Sequence, residues 1–347
     1  MSGAFDVAAV IPARNGLPDV LEAVESALAQ SNLPREIVVV DDASTDGTGD
    51  AVERAFGPGG PRCGRAPVRV LSGHFGSAAA ARNAGWRAAQ APWIALLDAD
   101  DVWFDSKLAA AASALAAAPR ARWFFSDGAF RTLEGETRRS WLESYADLPE
   151  AYVGQPVREL IEVNFVLTSS VVVHREALET LGGFDASLSH AEDIDLWIRL
   201  ARRWPAAASR RALVRYQHRA GGLTRQIEAR LAGDVELFTR LASDRTLERP
   251  LRRLARRRAA LSQFKLGVAA LREGRRGEAR RRFAAGWVFP ERALPVCSAL
   301  AASLLPALWL ARVRREDWAM RSASSMKSVR RVVLEDAPRQ ATPRGRS

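Results

Sequence analysis

Two clusters of carboxylates stand at the ends of two apolar runs, and they are the residues of this chain best placed to do chemistry. Asp41 and Asp42 follow Val38-Val39-Val40, and the run at residues 94–97 leads into Asp98-Ala99-Asp100-Asp101. Both runs lack polar alternation, which is typical of buried parallel strands. Carboxylates crowded at the carboxyl edge of such a sheet repel each other unless a cation or a hydrogen-bonding ligand satisfies them. A hard divalent ion would do so and would also neutralise a diphosphate, so the clusters predict a nucleotide-sugar site.

Strand and helix patterns alternate over the first half of the chain, which argues for a parallel sheet covered by helices on both faces. The expected helices include residues 78–90, 107–118 and 192–203. The expected strands cover residues 7–11, 36–40, 67–71, 94–98, 122–126, 166–173 and 212–217. We expect residues 1–224 to form one α/β domain, residues 225–334 a helical region, and residues 335–347 a disordered polar tail.

Length and composition set broad limits. The chain has 347 residues, 48% of them apolar, which is ordinary for a globular protein of one or two domains. Cys63 and Cys297 are far apart in the sequence, so neither a disulfide framework nor a cysteine zinc site is expected, and a reducing compartment is favoured. The first predicted strand begins at Val7, and we therefore expect no signal peptide.

Positive charge is concentrated in the C-terminal third. Residues 1–224 carry 23 Lys and Arg against 28 Asp and Glu, whereas residues 250–282 carry 12 against 2. Such a segment could face anionic lipid or nucleic acid, or could be an Arg-rich solvated helix face. Residues 293–313 form an apolar run that approaches the length of a bilayer span, but Pro295 and Pro306 favour a buried or interfacial helix.

Seven segments, in this order and spacing, resemble the motifs of glycosyltransferase family 2, a family of inverting enzymes. They are residues 10–15 (VIPARN), 38–48 (VVVDDASTDGT), 80–85 (AARNAG), 97–101 (LDADD), 182–185 (GGFD), 192–200 (EDIDLWIRL) and 216–218 (YQH). The resemblance implies the α/β GT-A nucleotide-diphospho-sugar transferase fold, with a Rossmann-like, mostly parallel sheet and here a C-terminal helical extension. It also implies transfer of a sugar from a nucleoside diphosphate to a hydroxyl acceptor, in cell-surface or lipid-linked glycan synthesis.

The resemblance further implies a donor site and a metal site. The donor positions are Pro12, Asn15, Asp41, Asp42, Arg82 and Asp98. Asp42 is the favoured partner of the base, because a carboxylate can accept the N3–H of uracil, and Arg82 could reach the diphosphate. Mn²⁺ or Mg²⁺ is the implied cofactor, with Asp100, Asp98 and His218 as ligands. The alternatives are a turn or a helix cap for the aspartates, and an ordinary exposed side chain for Arg82 and His218.

Asp193 is the expected catalytic base. Inverting displacement needs a carboxylate that deprotonates the acceptor hydroxyl, and the family places it at the Asp of the Glu-Asp pair that opens the helix at residues 192–203. Glu192 and Asp195 compete for this role, and plain capping of the helix N-terminus is the alternative.

The expected partners are a nucleotide-sugar donor, most simply a UDP-sugar, and a glycan or lipid-linked acceptor. The charge of residues 250–347 predicts peripheral contact with the inner, cytoplasmic face of a membrane, and nucleic acid is not favoured. A nucleotidyltransferase would have a similar sheet, but residues 12–18 lack the glycine-rich pattern typical of its phosphate loop. A non-catalytic basic binding module would not need Asp42, Asp98, Asp100 and Asp193 together.

Overall fold

The computed structural model describes residues 5–131, 137–142, 149–217 and 223–285, and ten strands in these ranges form one sheet. The strands are β1 (Val7–Ala13), β2 (Glu36–Asp42), β3 (Val68–Gly73), β4 (Trp93–Leu96), β5 (Val102–Trp103), β6 (Trp123–Arg131), β7 (Thr137–Ser140), β8 (Ala151–Gly154), β9 (Val172–His174) and β10 (Ala206–Gln217). The helices are α1 (Asp19–Leu28), α2 (Thr48–Phe56), α3 (Ala78–Ala88), α4 (Lys107–Ala117), α5 (Val157–Glu162), α6 (Arg175–Leu181), α7 (Glu192–Arg203), α8 (Leu223–Ser243), α9 (Arg249–Arg272) and α10 (Arg276–Ala285).

The sheet is parallel at one end and mixed at the other. Its order is β3-β2-β1-β4-β9-β6-β10-β5, with β7 beside β6 and β8 beside β10. β1 pairs in parallel with β2 and β4, and β2 with β3, whereas β9 runs antiparallel between β4 and β6. The α/β sheet expected from the sequence is confirmed, and its acidic clusters follow strands that end at one edge.

Two of the predicted strands differ in their bounds, and β5, β7 and β8 were not predicted. The pattern predicts a single strand over residues 166–173, but a 3₁₀ turn at Thr168–Ser170 precedes the short β9. The Ser170 hydroxyl donates to the Leu167 carbonyl at 2.7 Å, and local side-chain bonds of this kind compete with strand pairing. β10 begins at Ala206 rather than near residue 212, because a run of alanines carries little strand signal.

Both faces of β1 are buried. Its residues alternate between two hydrophobic clusters: Val7, Ala9 and Ile11 pack on one face, and Ala8 and Val10 on the other. All five side chains are inaccessible to solvent, which accounts for an apolar run without polar alternation. Helices therefore cover both faces, and the ends of the strands are left as the place for polar residues.

Gly85 lets α3 approach the sheet closely. A β-carbon at Gly85 would lie 2.4 Å from Val10 Cγ1 and 2.9 Å from Val40 Cγ2, distances that no side chain could occupy without moving the core. Arg82 lies one turn earlier on the same helix. The close approach therefore sets how near the Arg82 backbone lies to the ends of β1 and β2.

The C-terminal part of the described chain is helical, as the sequence predicts. α9 packs against α10 through Gly267, where a β-carbon would lie 2.5 Å from Phe283 Cε1. Within the described ranges, no helix is long and apolar enough to cross a bilayer. The apolar run at 293–313 and the polar tail at 335–347 lie outside the described residues.

Gly85→Ala should destabilise the protein, because the new methyl group would overlap two buried valines. We expect the free energy of unfolding, measured by urea titration, to fall by about 1–3 kcal/mol. Gly277→Ala is the matched control, since Gly277 is exposed in the first turn of α10 and a β-carbon there would meet its nearest contact, Arg281 Nη1, at 3.9 Å. This control should keep or slightly raise stability. Wild-type stability of Gly85→Ala would contradict the close approach of α3.

Candidate active site

A cleft of about 380 Å³ opens where β1, β2 and β4 end, a volume within the usual range of small-molecule sites. Six residues that the sequence analysis assigns to donor or metal line it: Pro12, Asn15, Asp42, Arg82, Asp98 and Asp100. They come from four separate segments of the chain. The fold therefore brings together most of the predicted donor and metal residues.

Asn15 ties two loops together at one side of the cleft. Its backbone N–H donates to Ser44 Oγ at 2.9 Å, and its side-chain oxygen accepts the Thr45 N–H at 2.8 Å. Asn15 and Ala43 both have a φ of 51°, a left-handed conformation that is unfavourable for non-glycine residues. Such strain persists where surrounding contacts enforce it, and it is often found at binding sites.

Asp42 is buried in the wall of the cleft and anchors the loop between β3 and α3. Its Oδ1 accepts the N–H groups of Phe75 and Gly76 at 2.5 and 2.9 Å. Its Oδ2 lies 4.0 Å from Nη1 of Arg14, another residue of the cleft wall. Asp42 thus combines a structural role with its position in the cleft.

Asp41 lies beside the cleft without lining it. Its Oδ1 accepts the Ser44 N–H at 3.2 Å, and its Oδ2 would lie 2.6 Å from a β-carbon at Gly49, at the start of α2. These contacts agree with the alternative in which Asp41 stabilises the turn after β2.

Arg82 is buried between two carboxylates that come from distant parts of the chain. Its Nη2 lies 2.7 Å from Asp98 Oδ1, and its Nη1 lies 2.9 Å from Glu192 Oε1. Burial lowers the pKa of the guanidinium, but the charges of Asp98 and Glu192 outweigh this and raise the pKa above its usual value. The guanidinium also lies 5.5 Å from the centroid of the Phe184 ring. Arg82 is therefore a permanently charged bridge and not an exposed side chain.

Asn83 docks the GGFD segment onto α3. Asn83 Oδ1 accepts the Phe184 N–H at 2.9 Å, and Asn83 Nδ2 donates to the Phe184 carbonyl at 2.8 Å. Gly183 has a φ of 76°, and a β-carbon there would lie 2.4 Å from Asn83 Oδ1. Two motifs separated by about a hundred residues thus form one unit next to Arg82.

The three aspartates after β4 have different environments. Asp98 carries the ion pair with Arg82, and its N–H donates to Ser169 Oγ at 3.0 Å. Asp101 is buried and accepts the Ser169 hydroxyl at 2.5 Å, so it anchors the loop. Burial, and then the charge of Asp98, raise the pKa of Asp100. Asp100 is therefore a carboxylate whose charged form would gain from a nearby cation.

Tyr216, near the end of β10, lies in the field of these aspartates. Burial raises the pKa of Tyr216 to about 12, and the charges of Asp101, Asp100 and Asp98 add to the effect. His218, two residues further along, lies outside the described residues, so its role as a metal ligand stays a prediction.

Asp193 lies in the first turn of α7, next to the carboxylate that Arg82 holds. Asn164 Nδ2 donates to Asp193 Oδ2 at 3.0 Å, and the Ile194 N–H donates to Asp193 Oδ1 at 2.7 Å. Burial, and then the negative charge of Glu192, raise the pKa of Asp193 to about 6. A carboxylate with a pKa near neutrality is well suited to accept a proton in catalysis.

Glu192 and Asp195, the competitors for the role of base, are both engaged in ion pairs. Glu192 binds Arg82, and Asp195 Oδ2 lies 2.6 Å from Arg199 Nη2 one turn along α7. Ala191, just before the helix, has a φ of 67°, which is strained for alanine. The geometry favours Asp193 among the three.

Two residues in contact with the predicted site, Asn164 and Ser169, were not predicted from the sequence. Their contacts to Asp193 and Asp98 join positions 29 and 71 residues apart, and neither residue belongs to a recognisable motif. No local pattern could have revealed them, because the contacts exist only once α5 and the 3₁₀ turn are in place.

Comparison with known proteins identifies the family. The family model described as glycosyl transferase family 2 matches residues 8–181, half of the chain. The chain belongs to glycosyl transferase family 2. The protein is therefore a glycosyltransferase, which transfers a sugar from a nucleotide-diphosphate donor, and the nucleotidyltransferase and binding-module alternatives are set aside.

Two relatives of this family 2 glycosyltransferase have names that describe succinoglycan biosynthesis and glucosyl transfer. The succinoglycan biosynthesis protein ExoO of Rhizobium meliloti (strain 1021) is 32% identical over 250 residues, which are 69% of this chain and 70% of the relative. The UDP-Glc:alpha-D-GlcNAc-diphosphoundecaprenol beta-1,3-glucosyltransferase WfaP of Escherichia coli is 33% identical over 102 residues, which are 29% of this chain and 38% of the relative.

Solved structures bear out the fold. S. aureus TarS 1-349 in complex with UDP-GlcNAc gives a TM-score of 0.56 at 17% identity. The match covers 86% of this chain and 80% of the TarS chain. The mannosyltransferase PcManGT from Pyrobaculum calidifontis, in complex with GDP-Man and Mn²⁺, gives a TM-score of 0.58 at 22% identity. The match covers 95% of this chain and 88% of the mannosyltransferase chain. The expected GT-A fold with helices in its C-terminal part is confirmed.

Asp193→Asn should stabilise the protein near neutral pH and not at acid pH. The raised pKa means that the folded state keeps a proton which the unfolded chain loses near 3.8, so stability is lost as the pH rises towards about 6. Above that pH the buried charge costs up to about 3 kcal/mol, which asparagine avoids. Urea titrations at about pH 4 and about pH 7.5 should show a gain only at the higher pH. No gain at either pH would contradict the raised pKa.

Proposed function

We propose that this glycosyltransferase uses a UDP-sugar as donor, binds a divalent ion at Asp100 and Asp98, and uses Asp193 as the base that deprotonates the acceptor hydroxyl. The observation that carries the proposal is the Arg82 bridge, which joins the acidic loop after β4 to the first turn of α7. We assign residues 1–224 to the catalytic domain, 225–334 to a helical C-terminal region and 335–347 to a polar tail.

The donor is assigned to the side of the cleft formed by β1 and β2. Pro12 and Asn15 line this wall, and in this proposal the Asp42 carboxylate accepts the N3–H of uracil through Oδ2, the oxygen that also receives the Gly76 N–H at 3.2 Å. Asp41 would not contact the donor and would instead stabilise the turn after β2. Arg82 supplies a fixed positive charge for the diphosphate. UDP as the nucleotide is supported by the name of WfaP and by the UDP-GlcNAc complex of TarS.

The acceptor is assigned to the side of Asp193. The acceptor oxygen attacks the anomeric carbon while the bond from that carbon to the diphosphate oxygen breaks, and the hydroxyl proton passes to the Asp193 carboxylate. Attack from the face opposite the leaving group inverts the anomeric centre. Asn164 orients the carboxylate, since its amide donates to Asp193 Oδ2. The pKa near 6 leaves the base ionised at neutral pH but still able to hold a proton.

The acidic loop fits a divalent ion that binds together with the donor. In the described ranges, no three His, Cys, Asp or Glu side chains are grouped as a metal site. Mg²⁺ and Mn²⁺ in nucleotide enzymes commonly use one or two carboxylates together with substrate phosphates, so Asp100 and Asp98 suffice on the protein side. When bound, the ion would neutralise the departing diphosphate. His218 is the further ligand that we predict.

Slow hydrolysis of the donor tests this function without knowledge of the acceptor. The protein is incubated with UDP-glucose, UDP-GlcNAc or GDP-mannose in the presence of Mn²⁺, and the released nucleoside diphosphate is measured. We expect release from at least one UDP-sugar and a raised melting temperature with UDP. Release from GDP-mannose alone would overturn the choice of donor, and neither binding nor release with any donor would overturn the function.

Asp100→Asn should abolish Mn²⁺-dependent release while leaving the fold intact, because it removes an ion ligand and no core packing. We expect a loss of about 100-fold or more. Asp105→Asn is the matched control, since Asp105 is exposed on the segment that follows the same loop. Nearly wild-type turnover of Asp100→Asn in the presence of EDTA would show that the metal assignment is wrong.

Asp193→Asn should reduce turnover by about 100-fold or more and leave UDP affinity unchanged, because the base acts on the acceptor side. In the wild type, activity should fall as the pH drops below about 6, where the carboxylate becomes protonated. Initial rates between about pH 5 and pH 8 measure this limb. Activity of Asp193→Asn together with inactivity of Glu192→Gln would mean that the base is misassigned.

We also propose that the enzyme works at the inner face of a membrane, in the cytoplasm, on a glycan or lipid-linked acceptor. Exposed arginines recur along the first half of α9, at Arg249, Arg253, Arg256 and Arg257. Each basic side chain near an anionic surface contributes about 1 kcal/mol. A lipid-linked acceptor is supported by the diphosphoundecaprenol named for WfaP.

Flotation with liposomes tests the membrane contact. The protein should float with anionic phosphatidylglycerol vesicles and not with phosphatidylcholine vesicles, and high salt should weaken the binding. Replacing Arg249, Arg253 and Arg256 together by Gln should release it. Equal flotation of this variant and the wild type would exclude α9 as the contact.

A further inference from the structure

Arg258 is a charged residue of α9 that turns inward. Its Nη1 donates to the carbonyl oxygens of Leu160 and Ile161 at 3.3 and 3.2 Å. Its Nη2 lies 3.4 Å from Asp234 Oδ2 on α8, and the guanidinium lies 4.3 Å from the centroid of the Phe238 ring. One side chain of the C-terminal region thus contacts α5 and α8 at once.

The carbonyls that Arg258 binds belong to the last turn of α5. Carbonyls at a helix C-terminus have no partners within the helix and carry the negative end of its dipole, so a guanidinium there acts as a cap. α5 ends at Glu162, and Asn164, two residues later, donates to Asp193 Oδ2 at 3.0 Å. The contacts therefore run from Arg258 through the end of α5 to Asn164 and Asp193.

The burial of Arg258 is costly. Its side chain is 15% exposed, and that of its partner Asp234 is 17% exposed. Burial lowers the pKa of the Arg258 guanidinium, although the charges of Asp234 and Asp193 oppose this. Apolar residues can often replace a buried ion pair without loss of stability, so cohesion between helices does not require an arginine here. The planar guanidinium does hold Nη1 at two adjacent carbonyls and Nη2 at Asp234 in one fixed geometry.

We propose that Arg258 is a positioning residue for the catalytic base, which holds the end of α5 so that Asn164 remains hydrogen-bonded to Asp193. The inference rests on the role of Asp193 proposed above. It gives the C-terminal helices a part in catalysis that is separate from any contact with a membrane.

Charge provides a second route by which Arg258 acts on Asp193. Among the described residues, the charges that act on Asp193 include those of Glu192 on α7 and Arg82 on α3, and the charge of Asp193 acts in turn on Arg258 on α9. A positive charge favours the ionised carboxylate, so loss of Arg258 should move the acid limb of the pH profile to higher pH. A lysine at this position would keep the charge but lose the planar guanidinium, whose Nη1 binds the α5 carbonyls while Nη2 lies at Asp234.

Three variants separate positioning from general stability. Arg258→Met removes both the charge and the cap, and Arg258→Lys keeps the charge. Arg202→Met is the matched control, because Arg202 Nη1 also binds a carboxylate of the C-terminal region, Asp244 Oδ2 at 2.9 Å, and its Nη2 donates to Thr246 Oγ1 at 2.8 Å. The assays are hydrolysis of the preferred UDP-sugar with Mn²⁺ and, without donor, amide hydrogen exchange of the peptide spanning residues 157–164.

Arg258→Met should lower kcat by about 10- to 100-fold with little change in KM, as expected for a misplaced catalytic group. Its acid limb should move to higher pH, and residues 157–164 should exchange faster. Arg258→Lys should keep the wild-type limb and recover part of kcat. Arg202→Met should lose stability only.

Two results would overturn the inference: wild-type kcat and exchange in Arg258→Met, or the same changes in Arg202→Met. If the wild type neither binds nor hydrolyses any donor, the proposed function fails, and hydrogen exchange alone decides whether Arg258 holds α5. Faster exchange in Arg258→Met but not in Arg202→Met would support that contact, and unchanged exchange would overturn it.

Discussion

The two ion pairs of Arg82 are the constraint on which the site depends. A buried guanidinium is strongly unfavourable without its partners, so Asp98 and Glu192 must both be present when α3 packs on the sheet. Gly85 allows that packing, and Asn83 fastens the GGFD segment next to it. Because these features share one short helix, the loop after β4 and the first turn of α7 are held at fixed positions. In the proposed function, these two segments are the donor side and the acceptor side of the enzyme.

Around this bridge, several groups are in energetically unfavourable states. Asp100 and Asp193 are held where burial and a neighbouring carboxylate raise their pKa, and Asn15, Ala43 and Ala191 adopt positive φ. Under the proposed function, the two carboxylates that are costly in the unliganded protein are those that a cation or a transferred proton would satisfy. The role proposed for Arg258 extends this principle to the C-terminal helices, where a buried charge would support Asp193.

The sequence predicted the parts of the site that follow from local pattern. Apolar runs without alternation located β1, β2 and β4, and the acidic residues after them fell at one edge because parallel strands share a direction. The bounds of α7 were also predictable from helical spacing and an acidic first turn. Four features could not be predicted: the two ion pairs of Arg82, the anchoring contacts of Asp42, the antiparallel direction of β9 and the hydrogen bond from Asn164. Each depends on contacts between residues far apart in the chain, for which a single sequence holds no local signal.

The central claim, that Arg82 couples the donor side to the acceptor side through Glu192, is tested most directly by a double-mutant cycle of Arg82→Met and Glu192→Gln. Free energies of unfolding are measured by urea titration for the wild type, both single variants and the double variant. The account predicts that the double variant loses less stability than the sum of the single losses, by about 1–3 kcal/mol, because either change alone disrupts the same buried pair. Additive losses, within about 0.5 kcal/mol, would contradict it.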